Sequence, residues 1–520
     1  MEDSDLTEHL KINYSGIKKN GKIYLLILLA TIPGLCFSSV TLHAIKIGAS
    51  ETLRCKINSF ENASWKFQEL SRPDGVHKEC FIFNYDYDKL AHMTLKDAKK
   101  LVDKDYANRT RIICTKFVAD ENNSRPAAYP QEFANYCESL RYDFLYDVGA
   151  VLPYILGCLL VVPLADIYGR KRILSLGCHL AYISVFIKII MLHFTREAIG
   201  EAVINYAYPV LKYTTEAIII EITGNELRPG AFVLTFLGLQ VPQFLIGVMP
   251  PLMYWKYATL LAYSTVLLLP LLLWFVPEPS LWFISGQQTR TALFASETLN
   301  DSPRHNDTLL LLRNKVITFK KANKLVQEFR HKINWKEFIS INVISISVGF
   351  LSFESYSKHK LMYASLENGW MRILHFSSGL FGVIFTIPCV YIMNGVKFSL
   401  AVLFGGCGAL FACLCFLNSD SFDNWFAIVT FFIEILSVIV KILFEFYLQR
   451  IFPTSHRCFC TGICGATMTF GLLIVIGIQQ ISSLAREIIT SVASISSCII
   501  SIFFVKNLSR MDSLHINFAA

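Results

Sequence analysis

Charge is scarce in this sequence. Only 17% of the 520 residues are Asp, Glu, Lys or Arg, whereas 53% are hydrophobic, and soluble domains carry about 25% charged residues. No Gly-x-x-x-x-Gly-Lys-Ser/Thr loop occurs that could hold a nucleotide. These two absences argue against a soluble globular protein and against a process driven by ATP.

Patterns for catalysis and metal binding are missing as well. Cys458 and Cys460 are separated by one residue, but no second pair of cysteines or close pair of histidines completes a set of four ligands. The apolar segments contain no nucleophile beside a general base. We therefore expect no enzymatic activity, no cofactor and no bound metal.

Long apolar runs dominate what is present. A helix of about 20 apolar residues crosses the hydrocarbon core of a bilayer, and we mark twelve such runs, six in each half. The predicted fold is an all-α polytopic membrane protein with two six-helix halves. The first run lacks a small-residue cleavage site, so we expect it to be retained. The predicted spans are 23–45, 144–165, 173–194, 199–222, 231–253, 257–276, 338–356, 371–393, 398–417, 425–448, 460–481 and 488–505.

Basic residues orient these spans. Lys171 and Arg172 lie between the second and third spans, and short basic loops concentrate on the cytoplasmic side. The net charge of +8 therefore reflects loops near anionic lipid and predicts no binding of nucleic acid. Both termini are predicted to be cytoplasmic, in a plasma-membrane protein. The predicted divisions are 1–22 (cytoplasmic), 23–276 (first half), 277–335 (cytoplasmic linker), 336–506 (second half) and 507–520 (cytoplasmic tail).

A polar segment, residues 46–143, separates the first two spans and is too long for an ordinary connection. We expect an ordered extracellular domain with N-linked glycans and two disulfides. The four cysteines allow three pairings, which the sequence leaves open, as it does the alternative that some are free thiols. The sequons begin at Asn62, Asn108 and Asn122, and the cysteines are Cys55, Cys80, Cys114 and Cys137.

The turn after the second span carries a recognisable signature. Residues 166–172 read Asp-Ile-Tyr-Gly-Arg-Lys-Arg, which resembles the cytoplasmic signature Gly-x-x-x-Asp-Arg-x-Gly-Arg-Arg/Lys of the major facilitator superfamily. Ile167 stands where the signature usually has an arginine. The resemblance implies that Asp166, Gly169, Arg170 and Lys171 latch the second helix against the opposite half.

Three further turns narrow the resemblance. Residues 277–286 are similar to the Pro-Glu-Ser-Pro-Arg-Trp-Leu-x-x-x-Gly run of sugar and organic-ion transporters, and the long first loop favours the organic cation, anion and carnitine branch. Residues 221–228 resemble its Glu-x-x-Gly-x-x-x-Arg turn, and residues 452–457 its Tyr-Pro-Thr-x-x-Arg turn. The resemblance implies latch roles for Glu221, Arg228 and Arg457. Arg450 stands where the branch usually has a glutamate.

Ionisable residues inside spans indicate a solute pathway, because each costs about 2.5–3.5 kcal/mol at a helix centre. In the family the first, fourth, seventh and tenth spans line the cavity. One hypothesis is that Glu216 or Glu354 attracts a cation or binds a coupling proton while Lys212 tunes it; the alternative is that Lys212 with Glu216, and Lys441 with Glu445, only neutralise each other. The candidate substrate-binding residues are Lys212, Glu216, Phe236, Phe353, Glu354, Lys441 and Thr469.

Two of these candidates carry weaker signals. Phe236 and Phe353 could stack on an organic cation, although 40 phenylalanines make packing the default role. Thr469 stands where relatives place an aspartate for cations or an arginine for anions, so it does not indicate the sign of the substrate.

The resemblance predicts a carrier of small organic ions that works by alternating access in the lipid bilayer, with or without a coupling ion. Two alternatives remain open from the sequence. One is a carrier of sugars or other neutral solutes, and the other is a non-transporting membrane sensor or scaffold.

Overall fold

The structure of the protein is a computed structural model. It describes residues 25–35, 53–57, 81–104, 110–114, 116–119, 143–190, 194–223, 228–248, 264–276, 278–279, 335–365, 369–392, 396–417, 423–452, 454–479 and 483–504.

Helices make up almost all of the described chain. In chain order they are α1 (Leu25–Leu35), α2 (Tyr87–Ala91), α3 (Leu95–Lys104), α4 (Asp143–Leu156), α5 (Leu164–Tyr168), α6 (Arg170–Ile190), α7 (Phe194–Ile222), α8 (Arg228–Val248), α9 (Leu269–Trp274), α10 (Trp335–Ser365), α11 (Gly369–Ile392), α12 (Val396–Leu417), α13 (Asp423–Ile451), α14 (Arg457–Gln479) and α15 (Ser483–Phe504). A π-helical turn, Gly157–Val161, follows α4, and a 3-10 turn, Thr454–His456, precedes α14.

Several of these helices suit a bilayer. Four segments of the described residues are long and apolar enough to cross it, namely Val148–Tyr168, Lys397–Cys415, Thr454–Ile478 and Leu484–Phe503. Helices α7 and α13 also exceed 20 residues but carry buried charged side chains. The count of twelve spans includes chain outside the described ranges and stays a prediction.

Two apolar cores correspond to the two halves of the chain. One is built mainly from α1, α6, α7, α8 and α9, and the other from α10, α12, α13 and α14. Within the halves, α6 packs along α7, α10 along α14, and α12 along α15. Helices α8 and α11, and α4 and α14, pack across the division, so the two halves meet along these helices.

Glycine allows the closest helix approach in the first half. A Cβ atom on Gly238 of α8 would overlap the carbonyl of Ala30 in α1, and one on Gly34 would overlap the carbonyl of Gly238. Small residues at helix crossings let backbones approach in this way in membrane proteins. The pair therefore fixes how α1 lies on α8.

The described part of segment 46–143 forms a small separate core. Strand β1 (Leu53–Cys55) pairs with β4 (Phe117–Ala119), and β2 (Phe81–Phe83) pairs with β3 (Arg111–Ile113), both antiparallel. Cys55 and Cys114 form a disulfide, with Cα atoms 5.8 Å apart. The other two candidate cysteines and the three sequons lie outside the described residues, so they stay predictions: Cys80, Cys137, Asn62, Asn108 and Asn122.

Candidate functional site

The turn between α5 and α6 depends on glycine. Gly169 has φ of 112°, a region that side chains with a Cβ rarely adopt. A Cβ there would also come within 3.0 Å of Glu278 Oε1. The turn places Arg170 at the first position of α6, with its side chain directed into the protein.

Arg170 is fully buried and is the centre of a cluster of charges. Its guanidinium lies 2.7 Å from Asp166 Oδ1 and 3.1 Å from Glu221 Oε1. It also donates to the carbonyl of Thr454, at 2.7 Å, in the second half of the chain. A single side chain therefore joins three segments that are far apart in sequence.

Asp166 reaches the second half through the start of α14. Its carboxylate accepts hydrogen bonds from the backbone N–H groups of Cys458, at 3.3 Å, and Phe459, at 2.7 Å. The first N–H groups of a helix have no partner within the helix and carry a partial positive charge. An acid from the first half thus caps a helix of the second.

Glu221 completes what we call the latch cluster: Asp166, Arg170, Glu221 and Arg457. Its Oε1 lies 3.1 Å from Arg170 Nη2 and 3.0 Å from Arg457 Nη1. All four residues are buried, and two acids balance two arginines. Buried charges are stable when they are paired in this manner, and the contacts of the cluster join the two halves on this face.

Glu278 supports the latch cluster from the other side of the turn. Its carboxylate accepts from the backbone N–H groups of Arg170, at 2.5 Å, and Lys171, at 3.0 Å. Burial raises the pKa of Glu278 to about 7, although the nearby N–H groups and Arg170 act in the opposite direction. Glu278 was not among the predicted latch residues, although it belongs to the signature run of residues 277–286.

Two predicted latch residues lie beside the cluster. Arg228 donates from Nε to the carbonyls of Ile220, at 3.1 Å, and Thr223, at 3.0 Å, at the end of α7. Lys171 contributes its backbone N–H to Glu278. The hydrogen bonds of Arg228 lie within the first half, and that of Lys171 joins the first half to the start of the linker. They therefore support the turns around the cluster and do not reach the second half.

A second group of charges lies deeper between α7 and α13. This central charge cluster comprises Lys212, Glu216, Lys441, Glu445 and Gln449. Because α7 rises about 1.5 Å per residue, Glu216 lies roughly 7.5 Å along the helix from Glu221. The charged groups of the central charge cluster therefore form a separate layer, further from the face on which the latch cluster joins the halves.

Lys212 binds across the halves more closely than along its own helix. Its Nζ lies 2.6 Å from Glu445 Oε1 but 3.9 Å from Glu216 Oε1. Gln449 Nε2 of α13 donates to Glu216 Oε2 at 3.2 Å. Glu445 and Gln449 were not among the predicted site residues, and only tertiary structure brings them to α7.

Aromatic rings border the central charge cluster. The Lys212 ammonium lies 5.0 Å from the centroid of Tyr213 and 5.6 Å from that of Phe236, within the range of cation–π attraction. The ring of Phe232 packs on both Phe236 and Phe446. Phe236 thus lies near the predicted site, with an internal cation as its partner.

Three other candidates have different placements. Thr469 is buried and donates to the carbonyl of Gly465 in its own helix, at 2.8 Å. Phe353 and Glu354 belong to α10, but their side chains lie outside the described part of the structure. Arg450, the residue that departs from the family pattern, lies over the ring of Phe446 at 5.5 Å.

Comparison with known proteins identifies the architecture. The sequence model of the Major Facilitator Superfamily matches residues 145–504. The chain belongs to the major facilitator superfamily. It is a membrane-embedded, multi-pass protein with a transporter fold, and members of the superfamily are transporters rather than enzymes. No individually curated protein matches it in sequence.

Solved structures share the fold at low sequence identity. The proton:xylose symporter XylE, bound to 6-bromo-6-deoxy-D-glucose, is 12% identical with a TM-score of 0.61, covering 95% of this chain and 98% of its own. The human organic anion transporter MFSD10 (TETRAN) is 13% identical with a TM-score of 0.53, covering 93% and 99%. XylE from E. coli in a partially occluded, inward-open conformation is 14% identical with a TM-score of 0.55, covering 93% and 98%.

Proposed function

We propose that this protein carries small organic ions across the plasma membrane by alternating access between its two halves. The central charge cluster supports this proposal most directly. Lys212, Glu216 and Glu445 lie in the interior where α7 of one half meets α13 of the other. Transporters of this kind bind solutes near the junction of their repeats, and ionisable groups inside a membrane mark the pathways of charged solutes.

The charges favour an ion over a sugar. A sugar is neutral and is bound by hydroxyl and amide groups, whereas the central charge cluster contains two lysines and two glutamates. XylE transports xylose with protons and MFSD10 is an organic anion transporter, but likeness at 12–13% identity supports the fold alone. The preference therefore rests on the residues of this chain.

The proposed topology places the latch cluster on the cytoplasmic side. Twelve spans, cytoplasmic termini and a glycosylated extracellular segment 46–143 complete it, on the basis of the basic loops and the family signatures. In the described conformation Arg170, Glu221 and Arg457 join the two halves, on the face that we propose to be cytoplasmic. Transport then requires these contacts to break and the face to open.

Uptake into proteoliposomes tests the proposal. The purified protein is reconstituted, and influx of labelled organic anions, cations and zwitterions is compared with influx of D-xylose and with protein-free vesicles. We expect saturable uptake of at least one ion class and none of xylose. Saturable xylose influx alone would make the protein a sugar carrier, and binding without any influx would make it a sensor or scaffold.

A further inference from the structure

We infer that the transported solute carries a carboxylate and that Lys441 of α13 binds it. This inference rests on the proposed function and adds the sign of the substrate and the residue that recognises it. Three observations support it: the direction in which Lys441 points, the pairing of the charges near it, and the apolar rings that lie beside Lys212 in the same cluster.

Lys441 faces the interior of the protein and not the lipid. Residues 434, 438 and 445 are within about 60° of Lys441 around α13 at 100° per residue, and all three are buried. Phe432 lies about 180° from it and is 53% exposed. The face that carries Lys441 is therefore the face that packs inside, and Lys441 is close enough to Lys212, Glu216 and Glu445 for their charges to interact.

The ammonium of Lys441 is only partly buried and has no acidic partner among the described residues. No carboxylate in the described ranges lies within 4.0 Å of its Nζ. The Nζ atom also keeps some accessible surface, since the protein does not enclose it fully. It therefore reaches open space within the interior. A cation so placed requires an anion or water from that space.

The acids nearby are engaged by other groups. Lys212 lies 2.6 Å from Glu445 and 3.9 Å from Glu216, and Gln449 donates to Glu216. Lys212 thus lies between both acids, which leaves Lys441 as the cation of the cluster with capacity for a ligand. A carboxylate entering the space would bind there with a charge-assisted hydrogen bond.

The surroundings favour an organic anion over an inorganic one. Rings of Phe232, Phe236 and Phe446 pack together beside the cluster. These rings are only 1–2% exposed in the described conformation, so they would offer apolar surface to the carbon skeleton of a solute once the site opens, a contact that chloride or phosphate cannot use. Ligand sites commonly combine such a wall with a few polar groups that fix orientation.

Ligand-induced thermal stabilisation of the purified protein tests the inference independently of transport. The probes are two matched sets that differ only in charge: benzoate, benzamide and benzylamine, and hexanoate, hexanamide and hexylamine. We expect a carboxylate to raise the unfolding midpoint, with apparent affinity about 10- to 100-fold weaker in Lys441→Gln, as expected for loss of one charged hydrogen bond. Lys441→Arg should retain the stabilisation by carboxylates. Lys336→Gln, at an exposed position of α10, is the matched control for the loss of a lysine and should retain it too.

A second measurement uses the unaltered protein and so does not depend on folding of a variant. Reductive methylation is followed peptide by peptide, and a carboxylate should protect Lys441 while leaving Lys336 unprotected. Stabilisation by amines or amides alone, equal stabilisation of Lys441→Gln, an effect reproduced by chloride or phosphate, or no protection of Lys441 would each overturn the inference. Binding that depends on Lys441 in the absence of any uptake would instead refute the proposed function and leave this assignment standing.

Discussion

Replacing Glu221 by Gln should open the face of the protein on which the latch cluster joins the two halves. Glu221 is the acid that joins Arg170 of the first half to Arg457 of the second. The amide keeps the size of the side chain but removes its charge. Two buried guanidiniums are then left with Asp166 as the remaining acid of the latch cluster, and Arg457 regains a full hydration shell only when the halves separate.

The expected size of the effect follows from burial. Glu221 is 0% exposed and Arg457 is 8% exposed, so their pair belongs to the class in which removing one partner costs about 3–5 kcal/mol. That cost applies to the closed conformation, because the open conformation hydrates both groups. A loss of about 3 kcal/mol shifts the equilibrium toward opening by roughly a hundredfold.

Cys458 reports this opening directly. It is 0% exposed, and Asp166 accepts from its backbone N–H in the closed conformation. Labelling by a water-soluble maleimide, read peptide by peptide, should be roughly a hundredfold faster at Cys458 in Glu221→Gln than in the wild type, since every 1.4 kcal/mol corresponds to about tenfold. Cys458→Ser identifies the labelled peptide.

Glu487→Gln is the matched control for the loss of a buried acid. Glu487 pairs with Arg486 in the same helix, at 3.1 Å, and is equally buried. The Glu487→Gln variant should leave the rate of Cys458 labelling unchanged. Equal labelling of Cys458 in the wild type and in a folded Glu221→Gln protein would refute the view that the latch cluster holds the halves together.

Three further predictions concern stability. Lys212→Met alone should lower the thermal midpoint, because leaving a buried acid unpaired costs about 3–5 kcal/mol of stability. Adding Glu445→Leu should restore at least half of that lost stability. If the two substitutions instead destabilise the protein additively, the ion pair between the halves is contradicted. The folded-state pKa of Glu278, about 7, lies above its ordinary value of 4.5, so the folded protein binds this proton more tightly than the unfolded chain does. The stability of the wild type relative to Glu278→Gln should therefore fall as the pH rises from 4.5 to about 7. Parallel curves of thermal midpoint against pH for the two proteins would exclude this. Gly238→Ala should cost about 1–3 kcal/mol because its Cβ meets the Ala30 carbonyl, whereas Gly149→Ala, where a Cβ meets nothing within 4 Å, should change the midpoint little.

The family could be predicted from sequence because its signatures are contiguous. Residues 166–172 and 221–228 are each one short, contiguous run of sequence, so their spacing is visible without a fold. The superfamily is shown by the match over residues 145–504, whereas the organic-ion branch remains a proposal. The partners of these residues could not be predicted from the sequence, because Asp166 binds backbone groups of Cys458 and Phe459 nearly three hundred residues away.

The central charge cluster illustrates the same limit. Spacing of i and i+4 makes Lys212 and Glu216 neighbours on one helix, and the sequence offers no sign that Glu445 will be closer. In the structure the cross-half distance is 2.6 Å and the local one 3.9 Å. Packing of α7 against α13 brings Glu445 closer to Lys212 than Glu216, its neighbour on the same helix, so a local pattern located the residues without identifying their partners.

Distances between the halves, measured on both faces by pulsed electron–electron resonance, test alternating access most directly. One pair of spin labels, at Tyr168 and Lys397, reports the face on which the latch cluster joins the halves. The other pair, at Ile199 and Cys413 near the opposite ends of α7 and α12, reports the other face. We predict that Glu221→Gln lengthens the first distance and shortens the second. Unchanged distances in a folded Glu221→Gln protein, or two distances that change in the same direction, would contradict the account.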